Sequence, residues 1–311
     1  MLRIVFFGTA DFAVPALTAL LDAPEHFDVV AVVSQADKPA GRKGELEASP
    51  VAWRARARGA RLLQPLSLKD ETFFEELSSF KADVFITASY GKIIPQRILD
   101  LPRIAPLNLH GSLLPKYRGA SPIQAAILAG EPVTGASLMV MDAQVDHGGV
   151  IARAECAIAP DDTHDSLEKK LGDVAAALLI DHLEEFADGD EKAVEQAHEE
   201  ATFTSLLEKT DGLTDFRAMS AARIERMSRA YSPWPGAYFM WTRAGVPMRV
   251  KILRGAVTAT PADTAPGTGF KAQSGHMAVA TTEGSLELLE VQPEGKKAMD
   301  GKAFANGYKD F

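Results

Sequence analysis

The chain is 311 residues long, with 46% hydrophobic and 24% charged residues, the balance of a soluble globular protein with room for one large and one small domain. Its single cysteine, Cys156, excludes an internal disulfide framework and any cysteine-based zinc site, and fits a reducing compartment. A net charge of −9 argues against a general nucleic-acid binder, and no run approaches the roughly 18 apolar residues of a membrane span, so a soluble, cytoplasmic protein is expected.

The opening MLRIVFFGTADF carries too short an apolar run for a signal peptide, and Asp11 interrupts it. Within it, LRIVFFG (2–8) reads as a buried parallel strand ending at Gly8. A helix is expected over 11–23, with Pro15 early enough that its missing N–H is tolerated. FDVVAVVSQ (27–35) is a second buried strand, ADVFITASYG (82–91) a third and APLNLHG (105–111) a fourth, with helical patterns over 50–59 and 71–80 between them. Strands separated by helices imply an open, mostly parallel Rossmann-like α/β sheet with helices on both faces. Ligands on such sheets sit beyond the carboxyl ends of the strands, where Gly8, Tyr90–Gly91 and His110–Gly111 fall. Neither a G-x-G-x-x-G fingerprint nor a Walker A pattern is present, so dinucleotide or nucleoside triphosphate binding has no support.

Between the second strand and the next helix lies a long loop, QADKPAGRKGELEASP (35–50), with Arg42 and Lys43 near its middle; loops of that length are commonly functional. Residues 162–189 predict a long helix capped by Asp162 or Thr163, with Leu167, Leu171, Val174 and Leu178 on one stripe. The polar, aperiodic stretch after it reads as a connector over 190–206. One helix (218–231) and short strand candidates at 237–243, 247–257, 276–282 and 285–292 follow, as in a small OB-like β-barrel. The expected organisation is therefore 1–189, 190–206 and 207–311. Residues 1–206 carry a net −12 and residues 207–311 a net +3. The basic excess suits either a solvated face or a module that holds a polyanion.

Asn108 and His110 alternate along a strand and so share a face. An Asn amide can donate to a developing oxyanion, and a His can take a proton from an attacking amine and return it. N-x-H by itself is more often the pattern of a buried histidine with satisfied nitrogens. MVMDAQVDHGG (139–149) supplies the third piece: Asp142 and Asp146 enter a Gly148–Gly149 turn, and a carboxylate beside an imidazole fixes its tautomer and stabilises the imidazolium. No G-x-S-x-G elbow or reactive-cysteine motif suggests a covalent intermediate, so the nucleophile would be an amine of the substrate. His147 adjoins Asp146 but should point away from it in extended backbone, as a surface residue. The remaining histidines lack metal-ligand spacing, and no metal is expected.

NLHGSLLPKYRGASPIQAAILAG with TGASLMVMDAQVDHGGVI resembles the formyltransferases that use 10-formyltetrahydrofolate, a likeness that runs from RIVFFGTADFAVPAL through QADKPAGR and SYGKIIP to SPWPGAYF and QPEGKKAM. The resemblance implies that Asn108, His110 and Asp146 form the catalytic set. It implies that Ser112, Leu113, Leu114 and Pro115 are a folate-binding tetrapeptide, and that the backbone of Tyr90, Gly91, Lys92, Ile93 and Ile94 lines the pterin pocket. It places Phe12 where the methionyl side chain packs, and Arg42 and Lys43 on a loop that reaches a tRNA acceptor end. It further implies a monomer with an OB-like tRNA-binding domain, methionyl-initiator tRNA as acceptor, 10-formyltetrahydrofolate as co-substrate, and neither a metal nor a membrane partner. A nucleotide-sugar N-formyltransferase shares the body and the H-x-S-L-L-P motif; the loop and the closing segment favour tRNA. A noncatalytic tRNA-binding module would leave Asn108, His110 and Asp146 unexplained. Two positions depart from the family pattern: Glu45 and Glu47 stand where lysines are usual, and His147 stands where a small polar residue is usual.

Overall fold

The computed structural model describes residues 1–40, 45–243 and 245–308. In chain order the strands are β1 (Leu2–Gly8), β2 (Phe27–Val33), β3 (Lys38–Ala40), β4 (Glu45–Glu47), β5 (Leu62–Leu63), β6 (Val84–Ala88), β7 (Ala105–His110), β8 (Arg118–Gly119), β9 (Val133–Val140), β10 (Val150–Ala157), β11 (Phe203–Thr204), β12 (Tyr238–Arg243), β13 (Val246–Thr258), β14 (Gly269–Lys271), β15 (Met277–Ala280), β16 (Ser285–Pro293) and β17 (Met299–Asp300). The helices are α1 (Val14–Asp22), α2 (Pro50–Ala57), α3 (Glu71–Ser79), α4 (Gln96–Leu99), α5 (Pro122–Ala129), α6 (His164–Asp188), α7 (Ala221–Ala230) and α8 (Gly301–Gly307). The chain divides into two compact units. The first holds Met1–Pro122, Val133–Ala157 and Leu167–Ser205; the second holds Ile123–Pro132, Ile158–Ser166 and the chain from Leu206 onward.

The first unit is built on a seven-stranded sheet in the order β10-β9-β7-β6-β1-β2-β5. Strands β5, β2, β1, β6 and β7 run parallel, while β9 is antiparallel to both β7 and β10. The apolar runs explain the centre: β6 is buried at every position, and β1 from Ile4 to Gly8. The chain lays β2 on one side of β1 and β6 on the other, which creates the switch point where open α/β sheets bind ligands.

Local sequence sets the helix starts. Ser49 accepts from Ala52 N at 3.1 Å with Pro50 at the first position of α2, and Asp70 accepts from Thr72 N at 2.9 Å to open α3. In α6, Leu167, Leu171 and Leu178 are buried as expected and Val174 is half-buried. The long 35–50 loop is a hairpin of β3 and β4, pairing Lys38 with Glu47 and Pro39 with Leu46; Arg42 and Lys43 lie outside the described residues.

The second unit carries an antiparallel sheet in the order β12-β13-β16-β15-β14, with β17 on β16. Register shifts around Ile252, Arg254 and Gly255 bend β13, so that one half pairs with β12 and the other with β16. The sheet thereby curls into a half-barrel, consistent with an OB-like domain. The stretch expected as a connector behaves differently: residues 190–205 pack within the first unit. Val194 bridges Val150 through two main-chain hydrogen bonds of 2.8 and 2.9 Å, and Phe203–Thr204 pairs in parallel with Arg118–Gly119. An aperiodic polar segment shows no such docking in its own pattern, because its partners are main-chain groups.

Candidate active site

The sheet brings the carboxyl ends of β1, β6 and β7 side by side, pairing Gly8 with Ala88 and Thr87 with Asn108. The Thr9 hydroxyl donates to Tyr90 O at 2.9 Å, tying the turn after β1 to the turn after β6. Along β7, Leu107 and Leu109 point into the core, which leaves Asn108 and His110 on the opposite face at the strand end.

His110 is only 6% exposed. Its Nε2 lies 2.9 Å from the main-chain oxygen of Tyr117, an acceptor, so Nε2 carries the proton and donates. Its Nδ1 faces Asp146 Oδ2 at 3.6 Å, beyond hydrogen-bond distance but close enough for the carboxylate to stabilise a positive charge on the ring. The Asn108 amide donates one N–H to Asp146 Oδ1 at 3.3 Å, leaving its second N–H available. Asp146 Oδ2 also accepts from Gly119 N at 2.7 Å. The three residues expected from sequence therefore meet, with the carboxylate between the amide and the imidazole.

Asp146 has φ +49°, a left-handed conformation that a non-glycine residue adopts only where its surroundings impose it. That twist corrects the expectation for His147. The ring does not point out of an extended strand; it folds back, half-buried, with Nδ1 2.7 Å from Asp142 Oδ2. It stacks on His198, with ring centroids 4.1 Å apart and planes 5° apart.

The expected folate residues separate into framework and surface. Ser112 is fully buried and donates to Lys116 O at 2.6 Å. Leu114 packs with Met139 and Val150 in a small apolar cluster, so its side chain belongs to the core and not to an open wall. Ser137 of β9 fastens the tetrapeptide: its hydroxyl donates to Ser112 O at 2.7 Å and accepts from Leu114 N at 3.1 Å. Leu113 and Pro115 stay half-buried.

On the neighbouring turn, Tyr90 is buried edge-on to Phe7, and burial pushes its phenol up to about 12. Its hydroxyl has no hydrogen-bond partner, while its main-chain oxygen also accepts from Gln35 at 2.8 Å. Gly91 has φ +76°, and a Cβ there would meet Gln35 Nε2 at 2.6 Å. Lys92 donates to Pro65 O and Leu66 O at 3.2 and 3.3 Å, Ile93 is 88% exposed, and Ile94 is buried. Phe12 is 2% exposed, and its main chain is approached closely by α6, where a Cβ on Gly172 would sit 3.1 Å from Phe12 O.

Sequence reasoning missed a layer beneath this site. Arg118 and Gln196 are both buried, and Gln196 donates to the main chain of the Asp146 turn. Thr202 braces the loop after His110: its Oγ1 accepts from Tyr117 N and its main-chain oxygen from Arg118 N, both at 2.8 Å. The available signal was a polar stretch holding a Gln and a Thr without helical period; only the fold shows what they touch. Among the described residues, no group of three or more His, Cys, Asp and Glu side chains could hold a metal ion, and no helix is long and apolar enough to cross a membrane.

Comparison with known proteins finds relatives along nearly the whole chain. The chain is 43% identical over 307 residues to a methionyl-tRNA formyltransferase of Myxococcus xanthus, covering 99% of this chain and 95% of that protein. It is 41% identical over 307 residues to the methionyl-tRNA formyltransferase of Chloroflexus aurantiacus, covering 98% and 97%. Among solved structures it shares the fold of an N-formyltransferase from Helicobacter canadensis, determined with folinic acid and dTDP-3-aminofucose: TM-score 0.67, 16% identity, 93% of this chain and 99% of that one. HypX from Aquifex aeolicus, determined with tetrahydrofolic acid, aligns at TM-score 0.64 and 17% identity over 98% of this chain and 47% of that one. The formyl transferase family matches residues 2–183, and the formyl transferase C-terminal domain matches residues 206–309. Both halves of the sequence are accounted for in this way, and the chain belongs to the formyl transferase family.

Proposed function

We propose that this enzyme transfers the formyl group of 10-formyltetrahydrofolate to the α-amino group of methionyl-initiator tRNA. The observation that carries the proposal is the meeting of Asn108, His110 and Asp146 at one strand end, in a chain more than 40% identical along nearly its whole length to methionyl-tRNA formyltransferases. The co-substrate supplies an electrophilic formyl carbon; amine attack puts negative charge on its oxygen, and tetrahydrofolate leaves.

The second N–H of Asn108 donates to that developing oxyanion, the kind of preorganised donor that dominates acyl transfer. His110 Nδ1 receives the proton lost by the amine and returns it to the departing folate nitrogen. Its Nε2–H stays committed to Tyr117 O, which holds the ring in one tautomer. Asp146 faces Nδ1 and stabilises the imidazolium while it lasts. Ile93, Leu113 and the turn at residues 91–93 suit a flat, mostly apolar ring system beside the reacting atoms, with Tyr90 and Ile94 buried behind it. Ser112 and Leu114 shape that wall from behind. Phe12 backs the methionyl side chain, and the positive charges of Arg42 and Lys43 suit the phosphates of a tRNA acceptor end. The chain from residue 207 to the end, with its net +3, holds the rest of the polyanion. Such an enzyme works on its tRNA as a monomer, in the cytoplasm, where aminoacylated tRNA and reduced folates are found.

One assay tests the reading: formyl transfer from 10-formyltetrahydrofolate to charged initiator tRNA against a dTDP-linked amino sugar. Transfer to the tRNA alone is expected. Preference for the amino sugar would replace the proposal with a nucleotide-sugar N-formyltransferase. No transfer to either acceptor would leave a binding module.

A further inference from the structure

Gln196 lies in the stretch whose sequence suggests a connector, yet it is 4% exposed and its amide is fully engaged. The NH2 donates to the main-chain oxygens of Asp146 at 3.0 Å and Gly148 at 2.7 Å. The amide oxygen accepts from Arg118 Nε at 3.2 Å and Nη2 at 2.8 Å. Its orientation is therefore fixed by its partners. Turned over, it would set its oxygen against two carbonyl oxygens and its NH2 against a guanidinium.

Arg118, 3% exposed, is held by neutral partners: this amide oxygen, His198 Nδ1 at 2.9 Å, and the ring of Phe203, 5.9 Å from its guanidinium carbon. The two carbonyls that Gln196 engages flank His147, in the turn where Asp146 adopts its left-handed φ. A backbone held in such a conformation needs specific support. The Asp146 carboxylate depends on that backbone for its approach to Asn108 and His110.

We infer that Gln196 is a positioning residue for formyl transfer: it locks the main chain of the Asp146–Gly148 turn so that the carboxylate faces His110 and Asn108, with Arg118 setting the direction of the amide. The inference rests on the proposed part of Asp146 in the reaction. It assigns to the 190–205 stretch a role in turnover and not only in joining two units.

Gln196→Glu tests it, because this variant keeps the volume and gives the buried Arg118 a carboxylate partner while removing both N–H donors to the turn. The expected result is a folded protein with a somewhat lower melting temperature, because a carboxylate oxygen now faces the two turn carbonyls while the pairing with Arg118 is strengthened. Its kcat falls about 10- to 100-fold, as misplacement near the chemistry typically costs, while KM for both substrates stays within about twofold. Gln196→Met, neutral and of similar length, is read in the same way should the buried carboxylate prevent folding. Asp146→Asn and the double variant Asp146→Asn/Gln196→Glu complete a cycle. Loss of the Gln196 effect in the Asp146→Asn background supports the inference; independent, additive losses overturn it. A Gln196 variant with wild-type kcat per folded molecule also overturns it, even if less stable, because that is how a plain strut behaves. Wild-type turnover in Asp146→Asn alone would instead sink the reading of the site, and absence of formyl transfer by the wild-type protein would sink the proposed function.

Discussion

Two regions press on Asp146 from opposite sides, and they are built on different principles. One is the end of β7, where an alternating strand buries Leu107 and Leu109 and leaves Asn108 and His110 on the other face. Ladder hydrogen bonds to β6 and β9 fix that end, so its side chains inherit the precision of the sheet. The other is the 194–204 stretch, which is in no large sheet and has no apolar face. It is held by discrete hydrogen bonds to the main chain of other segments: Val194 to Val150, Thr202 to Tyr117 and Arg118, and the Thr204 hydroxyl to Ser121 N before α5. The strand end supplies the groups suited to the reaction, whereas the stretch supplies the geometry around them. The difference teaches that a polar segment without periodicity can be as strongly specified as a strand when its partners are carbonyls and amides of another loop.

The largest effects should come from the strand end. Asn108→Ala and His110→Ala are each expected to lose about 10²–10³ in turnover, the usual cost of one oxyanion donor or proton-transfer group. The denaturation midpoint of Asn108→Ala should stay near wild type, whereas His110→Ala should lower it modestly, since the ring is buried and its Nε2–H pairs with Tyr117 O. Steady-state kinetics beside a melting curve checks both halves of that statement. Near-normal turnover would break the contrast between the two regions.

Next in size is the contact between the regions. Gly119 has φ +106°, and a Cβ there would meet Thr204 O at 2.2 Å. Gly119→Ala should therefore cost more than about 2 kcal/mol of stability, by forcing β8 and β11 apart. It should also slow turnover, because Gly119 N holds Asp146 Oδ2. A variant with wild-type stability would show that this pairing is dispensable.

Ser137→Ala sharpens the comparison on the framework side. It removes the fully buried hydroxyl that joins Ser112 O to Leu114 N and should cost about 1–3 kcal/mol, the range for unpairing buried polar groups. Urea unfolding measures it, and a cost near zero would mean that Ser137 does not fasten the tetrapeptide.

The smallest change is Tyr90→Phe. The hydroxyl is buried without a partner, so its removal should leave stability unchanged or raise it by up to about 1 kcal/mol. The sign with pH follows from burial. The phenol's pKa rises from 10.0 in the unfolded chain to about 12 in the fold, so its contribution is fully present below pH 10 and is lost as pH rises towards 12. Tyr90→Phe should flatten that alkaline decline, as urea midpoints at the two ends of the range would show. An unchanged slope would place Tyr90 in contact with solvent.

Much of this was legible before any coordinates. Continuous apolar runs predicted β1, β2, β6 and β7, and the 3.6-residue stripe of Leu167, Leu171 and Leu178 predicted α6, because burial on two faces or on one stripe leaves a periodic mark. The pair Asn108 and His110 was likewise open to inspection, since the two alternate along one strand; patterning offered both Asp142 and Asp146 as the carboxylate, and the family resemblance singled out Asp146. The roles expected of Leu114 and Phe12 were less well placed, because an apolar residue beside a pocket and one behind it look alike in sequence. His147 was misread because extended backbone was assumed where Asp146 turns left-handed. Gln196 and Thr202 gave no periodic signal at all.

The amino-acid sequence by itself determined the order of strands and helices, the face of β7 that carries Asn108 and His110, and membership of a formyl transferase family. These follow from local patterning, from turn chemistry and from residues whose spacing repeats in relatives. Only the tertiary structure decided that Asp146 closes on His110 across 36 residues of chain. It alone showed that residues 190–205 fold back onto the first unit and that a buried amide and a buried guanidinium lie beneath the carboxylate. Those contacts join groups far apart in the chain, many of them with a main-chain amide or carbonyl as one partner, and main-chain groups are the same in every residue but proline, so no local pattern of side chains announces them.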